Sequence, residues 1–364
     1  MRIDIRLQKV LQEAGLDSRG ITQRIADDLG LHRHTIGKLY RNQISNPSLR
    51  VLEQVCEWLK AHGVDAPLPA ALFGVRPSAL WQALAGLNRV TFYLGEYVEF
   101  APGEPGRRWV ATCDVEAWAR IVSTLTGEGE IGRTQLALQY VRFRYGAAGR
   151  ADGQQVLLED ERNAVEAFNR LRRQPHCAIL IGSQRVNYLL EPFVADLFGA
   201  EPFKAIEPRE DPVVPFYLLT AQRTPAAPSC FGGPIAPAGW QREERNALLW
   251  RDDQGRWHGI PWVRDKQEGA LILTVYYPGT QAVHVALFGY SGQGTRLAAE
   301  KLSTDPHLFW PPPAEIAGRQ VGVYVLCFET GKERRGKSDG RVMDRICKVI
   351  PLGACLLKEG LRAG

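Results

Sequence analysis

The chain has 364 residues, of which 45% are hydrophobic and 23% charged, the profile of a folded protein long enough for more than one domain. A formal net charge of +5 is too small for a general polyanion binder. No run approaches the roughly 18 apolar residues that a membrane-spanning helix needs, and residues 1–6 lack the apolar core of a signal peptide, so a cytoplasmic protein with no membrane partner is expected. The cysteines at 56, 113, 177, 230, 327, 347 and 355 stand far apart with no Cys-x-x-Cys pair. This spacing supports neither a metal site nor a disulfide framework and predicts reduced, mostly buried thiols.

Residues 5–14 open with a first helical period. Ile21, Ile25 and Leu29 then recur at helical spacing, Gly30 supplies a break where positive φ is easily adopted, and a second period follows with Ile36, Leu39 and Tyr40. Two short helices joined by a tight turn are predicted. The second begins with Arg33, His34 and Thr35 and carries Lys38 and Arg41, so cations and hydrogen-bond donors lie opposite its apolar face. A later helix over 47–60 has Leu49, Leu52, Val55, Cys56 and Leu59 as its buried stripe. Residues 1–63 hold ten Lys or Arg against seven Asp or Glu, a local basic tilt.

This stretch resembles the lambda-repressor-like, or XRE/Cro-type, helix-turn-helix family of transcription regulators. The resemblance covers about residues 3 to 63 and rests on Gln23, Leu29-Gly30-Leu31, Thr35-Ile36 and Asn46-Pro47-Ser48-Leu49, in the family's order. Two positions depart from the pattern. His32 stands where a small N-cap is usual, and Gly37 lies mid-helix, at a cost on the order of 1 kcal/mol against Ala. The resemblance implies an all-α bundle with a recognition helix in the major groove of double-stranded operator DNA. Arg33 and His34 would meet base edges, Gln23, Thr35 and Arg41 would hold phosphates, and His32 and Lys38 complete the contact set. It also implies a homodimer reading two half-sites.

Residues 1–66 are therefore expected to form the DNA-binding domain and 67–80, rich in Pro and Gly, a linker. Residues 81–364 would form an α/β domain with a mixed sheet and Rossmann-like layers, divisible near 150–160. Strands are predicted at 91–100, 136–145, 177–181, 271–277, 283–288 and 321–328, with helices at 114–125, where Asp114 reads as the N-cap, and at 159–173, 188–198 and 296–302. Pro278-Gly279-Thr280 predicts a hairpin. The tryptophans at 240, 250, 257 and 262, beside the Pro-rich stretch 224–237, read as a long irregular excursion. The basic tail 332–348 reads as a solvated loop or a second DNA contact.

Two strand-to-helix loops invite an anion. The first is Gly182-Ser183-Gln184-Arg185-Val186-Asn187, and the second is Gly289-Tyr290-Ser291-Gly292-Gln293-Gly294-Thr295. Gly182, Ser183, Arg185 and Asn187 with Ser291, Gly292, Gly294 and Thr295 are predicted to line one pocket; each loop also reads as a tight turn and nothing more. The second loop has neither the dinucleotide nor the phosphate-loop glycine pattern and only part of a nucleophile elbow, so no catalytic residue and no cofactor is assigned. The expected function is a transcription regulator whose α/β domain senses a small anionic, nucleotide-like effector. The alternative is an enzyme on a nucleotide or sugar phosphate that a helix-turn-helix targets to DNA.

Overall fold

The computed structural model describes residues 3–5, 7–41, 43, 48–64, 73–75, 79–99, 106–127, 134–145, 153–183, 185–208, 210–221, 228–240, 245–264, 266–330 and 345–353. The Asn46-Pro47 step, most of the expected linker, the core of the basic tail and Cys355 lie outside them. The chain divides into two compact units, Met1–Pro77 and Ser78–Gly364. The long helix Gly153–Arg173 lies in the second unit.

In the first unit, helices α1 (Leu7–Glu13), α2 (Ile21–Leu29), α3 (Arg33–Tyr40) and α4 (Leu49–Ala61) enclose a small core. Leu7, Leu11, Ile25, Ile36, Leu39, Val55 and Leu59 are buried there, the same periodic positions that define each helix in the sequence. Trp58 donates to Asp28 at 2.7 Å and stacks on His62, tying α4 to α2. The unit is not all-α, as the sequence suggested. β1 (Ile3–Ile5) pairs antiparallel with β2 (Phe73–Val75). Segments of three residues carry no readable period, and only the return of the chain brings them side by side.

The second unit is α/β. Among the described residues, nine strands form one mixed sheet: β3 (Arg89–Glu99), β4 (Arg108–Trp109), β5 (Gln135–Tyr145), β6 (Cys177–Ile181), β11 (Gln267–Tyr277), β12 (Ala282–Gly289), β13 (Ala314–Ile316), β14 (Arg319–Thr330) and β15 (Arg345–Pro351). The spatial order through its centre is β5-β3-β6-β12-β11-β14, with the first four mutually parallel. Helices α5 (Ala79–Ala85), α6 (Thr112–Gly127) and α9 (Gly292–Thr304) cover one face, meeting Val90, Phe92, Ile179, Ile181, Val285 and Leu287. On the other face, α7 (Gly153–Arg173) and α8 (Leu190–Phe198) meet Tyr93, Ala178, Leu180, Ala286 and Phe288. Alternate residues of β6 and β12 thus face opposite layers, and both strands are buried throughout. That explains why each reads as a continuous apolar run.

Among the described residues, part of the expected irregular, tryptophan-rich excursion is strand. β7 (Phe216–Leu219), β8 (Gly232–Gly233), β9 (Ala247–Arg251) and β10 (Trp257–Pro261) make a second sheet in the order β10-β9-β7-β8. Leu218, Phe231 and Leu248 join the core on the α7–α8 side of the large sheet. The strands of this second sheet are short; β9 and β10 form a local hairpin, but β7 finds β8 and β9 only across longer stretches of chain. Among the described residues, no helix is long and apolar enough to cross a membrane.

Candidate functional site

In the first unit, α2 ends at Gly30 in the left-handed conformation, φ 61, and the Leu31 N–H closes back onto the Ala26 carbonyl at 2.8 Å. The chain re-enters helix at once. His32 takes the N-cap position: its backbone is extended and its Nδ1 accepts from the His34 N–H at 3.2 Å. An imidazole lone pair thereby does the work of the usual small polar cap. Ile36 and Leu39 point into the core, whereas His32, Arg33, His34 and Arg41 are exposed and Thr35 and Lys38 half-buried. Gln23 donates to Asp27 at 2.7 Å within its own helix, and Arg41 donates to Gln43 at 3.1 Å. The first turn of α3 thus exposes Arg33 and His34 and contains no acidic residue.

In the second unit, the chain passes from β3 to β5 on one side and later returns to β6 on the other. The carboxyl ends of β3 and β6 are consequently a topological switch point, where open α/β sheets leave a crevice. The first turn of α6 and the turn after β6 meet there. Gly182 continues β6 by donating to the Leu287 carbonyl of β12 at 3.1 Å, with φ 123, a conformation L side chains avoid. A Cβ at Gly182 would lie 3.2 Å from Oδ2 of Asp114. Asp114 is not the N-cap that the sequence suggested, since α6 begins at Thr112 and places it in the first turn.

Asp114 is only 3% exposed and has no hydrogen-bond or ion-pair partner among the described residues. Burial alone pushes its carboxyl up to about 6. The other acid near the second loop, Glu268, is differently treated. It is buried, which raises its pKa, but it accepts from Ser291 Oγ at 2.5 Å, Trp262 Nε1 at 3.1 Å and the Ser291 and Gly269 N–H groups. Glu268 is a satisfied strut, whereas Asp114 has no partner among the described residues and keeps a trace of solvent contact.

The two glycine loops are neighbours, because β6 and β12 pair in parallel through Ala178–Ile181 and His284–Leu287. Not all of the predicted lining residues face a common space. Asn187 is fully buried and its amide is consumed: Nδ2 donates to the Tyr93 and Ile181 carbonyls at 2.9 and 3.0 Å, and Oδ1 accepts from the Leu189 N–H. Thr295 is likewise buried, its Oγ1 accepting from the Gly289 N–H at 3.0 Å. Gly294 packs against the Gly269 carbonyl. Ser291 caps α9 by accepting from the Gln293 N–H at 3.2 Å while donating to Glu268. Asn187 and Thr295 are buried with their side-chain polar groups occupied and so build the turns instead of facing a ligand, while Ser291 and Gly294 shape the start of α9.

Gly182, Ser183, Arg185 and Gly292 remain. Burial lowers the pKa of Arg185, whose guanidinium donates to Tyr290. A Cβ on Gly292 would stand 3.1 Å from that of Cys113, so the N-termini of α6 and α9 adjoin. Arg296 of α9 reaches Glu116 of α6 at 3.6 Å. Gly95 of β3 lets the first loop close onto the sheet, since a Cβ there would fall 2.5 Å from Val186 Cγ1. Asp114, Cys113, Tyr290 and Glu268 were missed in the sequence. An acid in a helix's first turn was the available signal for Asp114, but its burial was not visible. His284, by contrast, is a core residue, its Nε2 facing the His176 carbonyl at 3.3 Å and its pKa pushed down to about 3 by burial.

Among the described residues, no cluster of His, Cys, Asp and Glu has the grouping of a metal site. The second unit is thus an open α/β protein with a buried, unpaired carboxyl at its switch point, on the same chain as a helical unit with a cationic helix face. No family model, curated protein or solved structure matches the chain.

Proposed function

We propose that the chain is a DNA-binding transcription regulator in which the first unit uses α2 and α3 as a helix-turn-helix and the second senses a small anionic, nucleotide-like effector. The observation that carries the DNA reading is the exposed Arg33, His34 and Arg41 on the side of α3 opposite buried Ile36 and Leu39. A helix held by its apolar face and capped at its first turn can offer that turn to base edges. In this reading the protein acts in the cytoplasm as a homodimer on two half-sites. The test is selection of bound sequences from a random duplex pool, followed by affinity measurements on the winner. Arg33→Ala should weaken the selected site by roughly 1–3 kcal/mol and relax its sequence preference. Equal losses on selected and random duplexes would assign Arg33 to phosphate contact, and failure to enrich any sequence would remove the DNA-reading role.

One observation favours the enzyme alternative. A carboxyl held near 6 at a sheet's switch point is poised to exchange a proton near neutral pH. Incubating the pure protein with nucleotides and sugar phosphates separates the two readings: turnover abolished by Asp114→Asn supports an enzyme, and binding without turnover supports a sensor.

A further inference from the structure

At the edge of the large sheet opposite the switch point, the β11–β12 and β13–β14 turns and the end of α7 surround a cavity of about 400 Å³. Three guanidinium groups line it, Arg172 and Arg173 from the last turn of α7 and Arg319 from the start of β14, and no acidic residue does so among the described residues. Arg172 and Arg319 converge on the two oxygens of one carboxylate, Asp196 of α8, with Arg172 at 2.8 Å from Oδ1 and Arg319 on Oδ2. Each spends a single nitrogen on Asp196, so most of its donors stay available. Arg319 also lies over the Tyr277 ring, 5.6 Å from its centroid. These contacts hold two of the three forks in place before a ligand arrives. Arg173 is exposed and has no ion pair among the described residues.

Cations in the last turn of a helix are ordinarily explained by its dipole. That explanation covers Arg172 and Arg173 but not Arg319, which reaches the same space from a separate hairpin. Asp196 offsets one of the three charges, leaving an excess of two that the negative end of α7 reduces only in part. His284, at the buried end of the cavity, is kept neutral by desolvation and adds nothing to this balance. The other walls include Pro175, Tyr277, Pro278 and Ala317. Ala317 is the first central residue of a two-residue hairpin, at φ 47 with Gly318 at φ 74. Asn, Asp or Gly is usual at that place, and a left-handed conformation costs a residue with a Cβ about 1–2 kcal/mol. An Asp there would add a carboxylate to the cavity wall; Ala leaves the wall uncharged.

A dianion matches the excess charge, and the three terminal oxygens of a phosphate monoester suit three guanidiniums better than the two of a carboxylate. The cavity has the size of a small-molecule site, larger than phosphate alone fills, and its apolar walls suit an organic body. Deepening the sensing reading, and resting on it for the ligand's role, we propose that this cavity binds a small phosphate monoester, with the phosphate among Arg172, Arg173 and Arg319 and the organic part against Pro175, Tyr277 and Pro278.

The experiment titrates the full chain, by calorimetry, with phenyl phosphate, glucose 6-phosphate, AMP and inorganic phosphate. At least one of the three monoesters should bind ten-fold or more tightly than inorganic phosphate, and the tightest shows whether the organic part is aromatic, sugar or nucleoside. Arg173→Glu, at an exposed position without a partner, should keep the native circular dichroism and weaken that monoester at least ten-fold. Arg120→Glu, an equal charge change at an exposed position of α6 on the other face of the sheet, should leave it unchanged. Binding that survives Arg173→Glu, or that both variants weaken alike, overturns the pocket and leaves the sensing reading standing. Monoesters that bind no better than inorganic phosphate, or no binding of any probe, overturn the proposal outright. Affinity for the selected duplex, measured with and without the monoester, is a separate readout: a ligand that binds here and leaves it unaltered supports the pocket and removes the sensing role.

Discussion

Replacing Asp114 by Asn should make the second unit more stable at neutral pH, the reverse of what most substitutions at a buried position do. Burial raises the carboxyl from 3.8 to about 6 in the folded protein. Between those values the folded state binds more protons than the unfolded one, so stability falls as pH rises through the window and levels off above about 6. A shift of about two units corresponds to roughly 3 kcal/mol of penalty at pH 7 and above. Asn carries no charge to desolvate but forfeits the attraction of a carboxylate to the α6 N-terminus, about 0.3–1 kcal/mol. The expected net gain is about 2 kcal/mol at pH 8, shrinking toward zero at pH 4. For a unit of this size that is a rise in Tm on the order of 4 °C. Differential scanning calorimetry of the full chain at pH 4, 6 and 8 reads it, from the larger of the two transitions. A loss of stability in Asp114→Asn at pH 8, or a gain that does not change between pH 8 and pH 4, would refute the claim that the carboxyl is buried and unpaired. A gain accompanied by loss of ligand binding would show stability given up for function at this residue.

The scaffolding role assigned to Asn187 predicts that Asn187→Ala costs about 2–5 kcal/mol, since it strands two buried carbonyls of β3 and β6 in addition to its own bonds; urea unfolding of the second unit measures it, and a cost below about 1 kcal/mol would return Asn187 to the candidate ligand contacts. In the first unit, a Cβ on Gly37 would meet only the tip of Arg41, at 3.5 Å. Gly37→Ala should therefore stabilise α3 by up to about 1 kcal/mol, read as a higher midpoint of the smaller thermal transition. A lower midpoint would mean that the helix interior at 37 is crowded.

What the sequence determined by itself is the set of elements whose environment is uniform along their length. Ile21, Ile25, Leu29, Ile36 and Leu39 show the helices of the first unit because each buries one face, and Cys177–Ile181 shows β6 because a central parallel strand buries both. The adjacency of the two glycine loops was also legible as an expectation, since both follow strands and precede helices. Tertiary structure alone decided the rest. β1 and β2 exist only because residues about 70 apart in the chain come together. Part of the second sheet likewise depends on partners brought from afar, as where Phe216–Leu219 pairs with Ala247–Trp250. Asn187 and Thr295 look like ligand contacts in a loop written as letters, and only the nearby carbonyl and N–H groups show them to be occupied. Asp114 looks like an ordinary acid at a helix start. Its chemistry comes from what surrounds it, because desolvation and the absence of a partner are set by how α6 lies against the turn at Gly182, and neither is encoded within reach of residue 114 along the chain.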